Sequence, residues 1–112
     1  MLTESQIKDI RKGFQKNEWL FSSVFYALGD PGRLRAFKVL FQHQDICVSE
    51  IAAILKVSVP AASRQLKILE QAGLARRERN GQMICYRIPK ENPMVRSVIQ
   101  IIQMRPKGRR AN

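Results

Sequence analysis

The sequence is poor in the residues that most catalytic sites and metal centres need. It has a single histidine (His43), two cysteines and nine acidic residues among its 112 residues. It contains no Ser/His/Asp set, no cluster of metal ligands and no glycine-rich phosphate loop, so we predict that the protein is not an enzyme. His43 has no Asp or Cys at helical ligand spacing, and we interpret it as an exposed loop residue.

Long apolar segments and a cysteine framework are also missing. No apolar run approaches the length of a membrane span, and the N-terminus lacks a signal-peptide pattern, so we expect a cytoplasmic protein without membrane contact. Cys47 and Cys85 lie too far apart in sequence to indicate a disulfide scaffold. The 45% hydrophobic content disfavours disorder, and we predict one domain over residues 1–104 followed by a basic, mobile tail over residues 105–112.

Positive charge, by contrast, is abundant. Twenty Lys and Arg residues against nine acidic residues give a net charge of +11. The tail contributes only Arg105, Lys107, Arg109 and Arg110, so most of the excess lies within the domain. A small domain this basic is suited to binding polyanions.

Residues 48–73, VSEIAAILKVSVPAASRQLKILEQAG, contain two helical patterns. The first has Ser49 as its predicted N-cap; the second has Ser58 as its cap and Gly73 as its end. Ala62, Leu66 and Leu69 recur at helical spacing in the second pattern. Because only Lys56-Val57-Ser58 separates the patterns, the helices must cross steeply, which is the arrangement of a helix-turn-helix motif.

The polar face of the second helix suggests its function. It carries, opposite the apolar stripe, Val59, Pro60, Ser63, Arg64 and Lys67. A hydroxyl, a guanidinium and an ammonium group there can reach base edges and phosphates in a DNA major groove. The alternative interpretation is an ordinary amphipathic helix with a solvated face.

A hairpin is predicted directly after this motif. Asn80-Gly81 separates two β-prone runs, residues 74–79 and 82–88, and Asn-Gly is a strong turn signal. A hairpin in this position is a wing, and it carries the basic residues Arg76, Arg77, Arg79 and Arg87. These side chains are candidates for phosphate or minor-groove contacts, the alternative being a basic hairpin without a partner.

The remaining segments predict further helices. A capping box at residues 3–6 opens the chain's first helix, Asp30-Pro31 starts another that runs to about Gln42, and Asn92-Pro93 starts the last. In the helix after Asp30 we expect Arg33, Arg35 and Lys38 to face solvent. The first and last helical regions are apolar over wide faces, and we interpret them as a dimer interface rather than core alone, with candidate contacts Leu20, Phe21, Val24, Val95, Val98, Ile99 and Ile102.

Four segments together resemble the ArsR/SmtB family of winged-helix repressors. They are residues 27–35 (ALGDPGRLR), 47–52 (CVSEIA), 57–74 (VSVPAASRQLKILEQAGL) and 79–88 (RNGQMICYRI). The resemblance implies a mainly α fold with about five helices and a two- to three-stranded wing sheet. It also implies a homodimeric repressor that binds an inverted-repeat operator in double-stranded DNA and is released by an inducer, often a metal ion. The alternative is a sequence-indifferent nucleic-acid-binding protein, architectural or RNA-associated, that uses a winged helix.

The resemblance carries DNA contacts onto this chain unevenly. It implies DNA contacts at the start of the second helix, by Ser58, Val59, Pro60, Ser63, Arg64 and Gln65. The predicted phosphate and wing contacts add four residues to the candidate DNA-binding set: Lys67, Arg77, Arg79 and Asn80. Family members often have Gln-Ser where this chain has Val59-Pro60, so apolar contacts to thymine methyl groups are expected there instead.

The sensing positions of the family are matched poorly. Cys47-Val48-Ser49 lacks the second thiolate of the Cys-Val-Cys pattern, and residues 93–104 contain neither an acid nor a histidine. We therefore expect no metal site and no cofactor, and the inducer is unknown. In a winged helix the strand before the motif pairs with the return strand of the wing, so Cys47 and Cys85 are a possible thiol switch; the alternative is two buried, inert cysteines.

Overall fold

The computed structural model describes residues 1–14 and 18–104. Its helices are α1 (Glu4–Lys12), α2 (Glu18–Leu28), α3 (Pro31–Gln42), α4 (Val48–Leu55), α5 (Val59–Gln71) and α6 (Pro93–Gln103). Its strands are β1 (Ile46–Cys47), β2 (Arg76–Asn80) and β3 (Met83–Arg87). The predicted basic tail, residues 105–112, lies outside the described residues.

The predicted architecture, mainly α with a small sheet, is confirmed. The described residues hold six helices rather than about five, because α1 ends at Lys12 with Gly13 as its C-cap and α2 begins separately at Glu18. Across residues 1–14 and 18–104, no helix combines the length and the apolarity that crossing a membrane requires.

The core lies where α3, α4 and α5 meet the inner side of the sheet. Its largest fully buried side chains are Tyr86, Phe37, Leu40, Ile51, Leu66, Leu69, Leu74 and Val95. Each buried aliphatic or aromatic side chain of this kind contributes roughly 1.5–3 kcal/mol relative to exposure. The stripe predicted on α5 is confirmed, since Ala62, Leu66 and Leu69 are all buried.

The sheet joins the helix-turn-helix motif to the wing. Its strand order is β1-β3-β2, with both pairings antiparallel. The two residues of β1 lie opposite two residues of β3, in the pairs Ile46↔Tyr86 and Cys47↔Cys85. The hairpin turn is shifted by one residue from the predicted Asn80-Gly81, because Asn80 pairs with Met83 and leaves Gly81-Gln82 as the loop. Gly81 takes a positive φ of 63° there, which a glycine adopts without steric cost.

Helix starts follow the predicted caps at four of the five positions, and the capping box at residues 3–6 is one of them. Asp30 accepts a hydrogen bond from the Arg33 amide at 3.0 Å, and the cap of α5, Ser58, accepts one from Ala61 at 3.2 Å. Asn92 likewise caps α6. The predicted cap Ser49 is wrong: α4 begins one residue earlier, at Val48, and Cys47 is its N-cap.

The earlier start of α4 has a local cause. The Cys47 amide donates to the Glu50 carboxylate at 2.9 Å, which satisfies a donor that the helix itself leaves free. Cys47 is thus both the last residue of β1 and the N-cap of α4, the helix that begins the helix-turn-helix motif.

Candidate nucleic-acid interface

The outward side of α5 is exposed along its first two turns. Val59, Pro60, Arg64 and Lys67 are exposed, and Ser63 is half-buried. The turn that presents them is tight because Lys56 takes the left-handed conformation, with a φ of 56°, directly after α4. At the other end, Gly73 takes a φ of 77° and ends the helix as predicted.

Three basic side chains around α5 are free of internal partners. Within the part of the chain that the structure describes, Arg64, Lys67 and Arg77 make no hydrogen bond and no ion pair through their side chains. Such cations are available to an external polyanion without first breaking an internal contact.

The hairpin presents its other basic residues differently. Arg76 pairs with Glu91, Arg87 pairs with Asp45 and Glu78, and Arg79 donates to the Gly81 carbonyl at 3.1 Å. The guanidinium groups of these three arginines are therefore held in place by contacts within the protein. Arg77, Arg79 and Asn80 remain exposed on β2, as the predicted wing contacts require.

A cavity of about 450 Å³ separates α5 from the hairpin. One wall includes Val59, Ser63 and Lys67 of α5, and the opposite wall includes Arg77 and Met83. The structure therefore brings predicted contacts from the second helix and from the wing to the two sides of one concave surface.

Two polar residues have positions that the sequence did not predict. Arg33, expected to face solvent, is only 9% exposed, and its Nε donates to the Ala27 carbonyl at 2.8 Å. Its Nη1 donates to Gln65 Oε1 at 2.9 Å, and Gln65 Nε2 donates to the Asp30 carboxylate at 3.1 Å. The side chain of Gln65, predicted to contact DNA, is thus engaged inside the protein, where it links α5 to the start of α3.

The candidate dimer contacts divide into two groups. Val24, Val95 and Val98 are buried in the core of the chain itself, so their assignment to an interface is corrected. Phe21 is 51% exposed, and half-buried positions are held by Leu20, Ile99 and Ile102. The candidate set omitted further large apolar side chains that are exposed on α2, α6 or just after it: Trp19, Phe25, Ile101 and Met104. The sequence shows that these side chains are apolar, but when a helix is apolar on several faces, the pattern does not show which face packs against the core and which is exposed.

The two cysteines lie side by side. Cys47 and Cys85 are opposite one another in register, both are buried, and their Sγ atoms are 2.7 Å apart. The hydrogen bond with Cys85, together with burial, raises the pKa of Cys47 to about 12. Cys47 also lines the cavity between α5 and the hairpin.

Across residues 1–14 and 18–104, no group of three or more His, Cys, Asp or Glu side chains could hold a metal ion. His43 is exposed just after α3.

Comparison with known sequences identifies similar proteins of one family. Residues 30–77 match the sequence profile described as bacterial regulatory protein, arsR family. A transcriptional repressor SmtB homolog of Synechocystis is 40% identical over 73 residues, which are 65% of this chain and 54% of that protein. An arsenic resistance transcriptional regulator of Pseudomonas putida is 34% identical over 79 residues, 70% of this chain and 69% of that protein. The chain spans about half the length of the SmtB homolog.

Comparison with solved structures gives the same fold. A homodimeric winged helix-turn-helix DNA-binding domain of Mycobacterium bovis, described as a possible ArsR-family transcriptional regulator, is 25% identical with a TM-score of 0.67. The match covers 81% of this chain and 85% of that one. The fold of this chain is a winged helix-turn-helix.

Proposed function

Because the chain belongs to the arsR family of bacterial regulatory proteins, we propose that it is a sequence-specific transcriptional repressor. It binds double-stranded DNA through the outward side of α5 and through the β2–β3 hairpin. The observation that carries this proposal is the position of Arg64 and Lys67 on α5 and of Arg77 on β2, three exposed cations that have no internal partner among the residues that the structure describes.

Base recognition is assigned to the start of α5. In winged helices the N-terminal part of the recognition helix reaches base edges in the major groove. Arg64 and Ser63 are the hydrogen-bonding readers, and Val59 and Pro60 offer apolar contact to thymine methyl groups. Gln65 is removed from this set, since Arg33 and Asp30 hold its amide.

Phosphate contacts are assigned to the two walls of the cavity. Lys67 approaches the backbone from α5, and Arg77, Arg79 and Asn80 approach it from the hairpin. Ser58 lies at the helix start, where its amide neighbours can also face a phosphate. These contacts fix the register of the protein on the duplex and supply most of the electrostatic affinity.

The functional unit is proposed to be a homodimer. The M. bovis neighbour is homodimeric, and α2 and α6 of this chain expose large apolar side chains, among them Phe21, Phe25 and Ile101. Covering these side chains with a second copy places two recognition helices in successive major grooves, about 34 Å apart, on an inverted repeat. The same proposal makes the chain a non-enzymatic regulator that acts on cytoplasmic DNA and needs no cofactor to bind it.

The test is a binding-site selection from random duplexes, followed by titration of the selected site and of a shuffled duplex. We expect an inverted repeat to be enriched and to bind about 10³-fold or more tightly than the shuffled duplex. Affinity should fall by about 10³–10⁵ between 50 and 200 mM salt if roughly 6–10 phosphates are contacted. Equal binding of both duplexes would instead support the alternative, a sequence-indifferent nucleic-acid binder, and would overturn the proposal.

A further inference from the structure

The hairpin is joined to the helix-turn-helix motif by a narrow connection in the sheet. Five residue pairs hold β2 to β3, whereas only two pairs, Ile46↔Tyr86 and Cys47↔Cys85, hold β1 to β3. Cys47 is at the same time the N-cap of α4. One of the two pairs that connect the wing with the motif therefore consists of cysteines.

We propose that Cys47 and Cys85 form a reversible disulfide under two-electron oxidation, and that this bond makes DNA binding responsive to oxidants. The pair is placed for this reaction by the register of β1 and β3 and by the 2.7 Å separation of its Sγ atoms. Directly opposed residues of antiparallel strands bring their Cβ atoms into the range that a disulfide needs. The bond can form without a change of fold.

The chemistry balances with a hydroperoxide as the oxidant. One cysteine, as thiolate, attacks the terminal peroxide oxygen, breaks the O–O bond and becomes a sulfenic acid, while the alcohol or water leaves. The second sulfur then attacks the sulfenic sulfur, the S–S bond forms, and water leaves. In total the two thiols lose two electrons and two protons, and the hydroperoxide is reduced.

The reaction should be slow near neutral pH and faster in alkali. The pKa of Cys47 is raised to about 12, and the thiolate is the reactive form. The charged groups around the pair are Glu50 on α4, whose carboxylate accepts from the Cys47 amide, Glu78 on β2, which lies opposite Cys85, and Arg87, which pairs with Glu78 and Asp45. A pair with these properties responds to sustained oxidative stress rather than to traces of peroxide.

The effect on DNA binding follows from the place of the bond. A covalent link at one of two β1–β3 pairs fixes the wing relative to α4 and α5, so that the wing can no longer adjust to the duplex. This part of the inference rests on the proposed function. We expect oxidation to lower the affinity for the selected operator by about fivefold or more, a typical size for coupling between two sites.

The chemical part is tested without DNA. The full chain is freed of reductant, treated with hydrogen peroxide, alkylated under denaturing conditions and weighed by mass spectrometry. We expect two thiols to escape alkylation, a mass lower by two hydrogen atoms, and a Tm that rises by roughly 10 °C and returns to its starting value with a reductant. Two alkylated thiols after prolonged oxidation at alkaline pH, or a disulfide only between two chains, would overturn the inference.

Matched variants separate the two parts. Cys47→Ala and Cys85→Ala keep a small apolar side chain at each position, and each should bind the operator equally well with and without peroxide. An intramolecular disulfide with unchanged operator affinity would overturn the regulatory part alone. A disulfide in a protein that binds no duplex in either state would leave the redox inference standing and overturn the proposed function instead.

Discussion

The two exposed surfaces of this chain differ in chemistry. The surface formed by α5 and the hairpin is polar and basic: Lys67 and Arg77 line its cavity, Arg64 is exposed on α5, and none of the three has an internal partner among the described residues. The surfaces of α2 and α6 expose large apolar side chains, of which Phe21 is 51% exposed and Phe25 is 71% exposed. Cations without partners suit phosphates, and exposed aromatic side chains suit a protein surface. The difference supports the proposal that the chain has two separate partners, DNA on one surface and a second copy of the chain on the other.

The largest expected effect is the loss of the dimer. Phe21→Asp puts a charge where we propose that two copies meet, and burial of an unpaired carboxylate is strongly unfavourable. We expect a monomer by analytical ultracentrifugation and a loss of cooperative binding to the inverted repeat. Ile54→Asp is the matched control, because Ile54 is 53% exposed on α4, and it should leave the dimer intact. Dissociation by both variants, or by neither, would remove the distinction between the two surfaces.

The next effect concerns the connection between the surfaces. Arg33→Met removes the donors to Ala27 and Gln65 and leaves buried acceptors unpaired. We expect the free energy of unfolding to fall by about 2–4 kcal/mol in urea denaturation, as for other broken buried networks. Arg35→Met on the same helix removes an exposed guanidinium and should change the free energy of unfolding by about 0.5 kcal/mol or less. Similar losses in the two variants would contradict the internal role assigned to Arg33.

A smaller and more selective effect is expected on the recognition helix. Arg64→Ala should weaken binding to the selected operator by about 1–3 kcal/mol and relax the sequence preference, while binding to shuffled DNA changes less. Lys38→Ala, which removes an exposed positive charge from α3, is the control for charge alone. An equal loss on operator and shuffled duplex would place Arg64 on phosphates rather than on bases.

The smallest effect is a pH dependence at the start of α3. The backbone hydrogen bond from Arg33 lowers the pKa of Asp30, so the folded protein holds the carboxylate charged at a pH where the unfolded chain begins to protonate. Its contribution to stability is therefore present above the ordinary pKa of 3.8 and is lost as the pH falls through the lower folded value. Asp30→Asn keeps the cap but not the charge, and thermal melts below pH 4 should show a weaker acid destabilisation than in the unchanged protein. An identical acid slope would exclude Asp30 as a contributor.

Local patterns predicted most of the fold, because the relevant interactions are close in sequence. The caps at Asp30, Ser58 and Asn92 and the end at Gly73 each depend on contacts within a few residues. The apolar spacing of α5 likewise reflects a single helix packed against one core. Boundaries that depend on strand pairing were less accurate, and both the turn at Gly81-Gln82 and the start of α4 shifted by one residue.

The candidate site was predicted less completely, since part of it depends on contacts between distant segments. Arg33 meets Gln65 across 32 residues of sequence, and nothing in the periodicity of α3 distinguishes it from the exposed Arg35. In the same way, the apolar residues of α6 did not show that Val95 and Val98 face the chain's own core while Ile101 faces outward. The pairing of Cys47 with Cys85 was foreseen only through the family resemblance, which supplies the strand order.

Hydrogen–deuterium exchange of the protein with and without the selected operator duplex tests the central claim most directly. We predict that the duplex protects the backbone amides of the first turns of α5 and of the β2–β3 hairpin, with little change in the exposed side of α2. Protection that falls instead on α2 and α6, with α5 and the hairpin unchanged, would contradict the account.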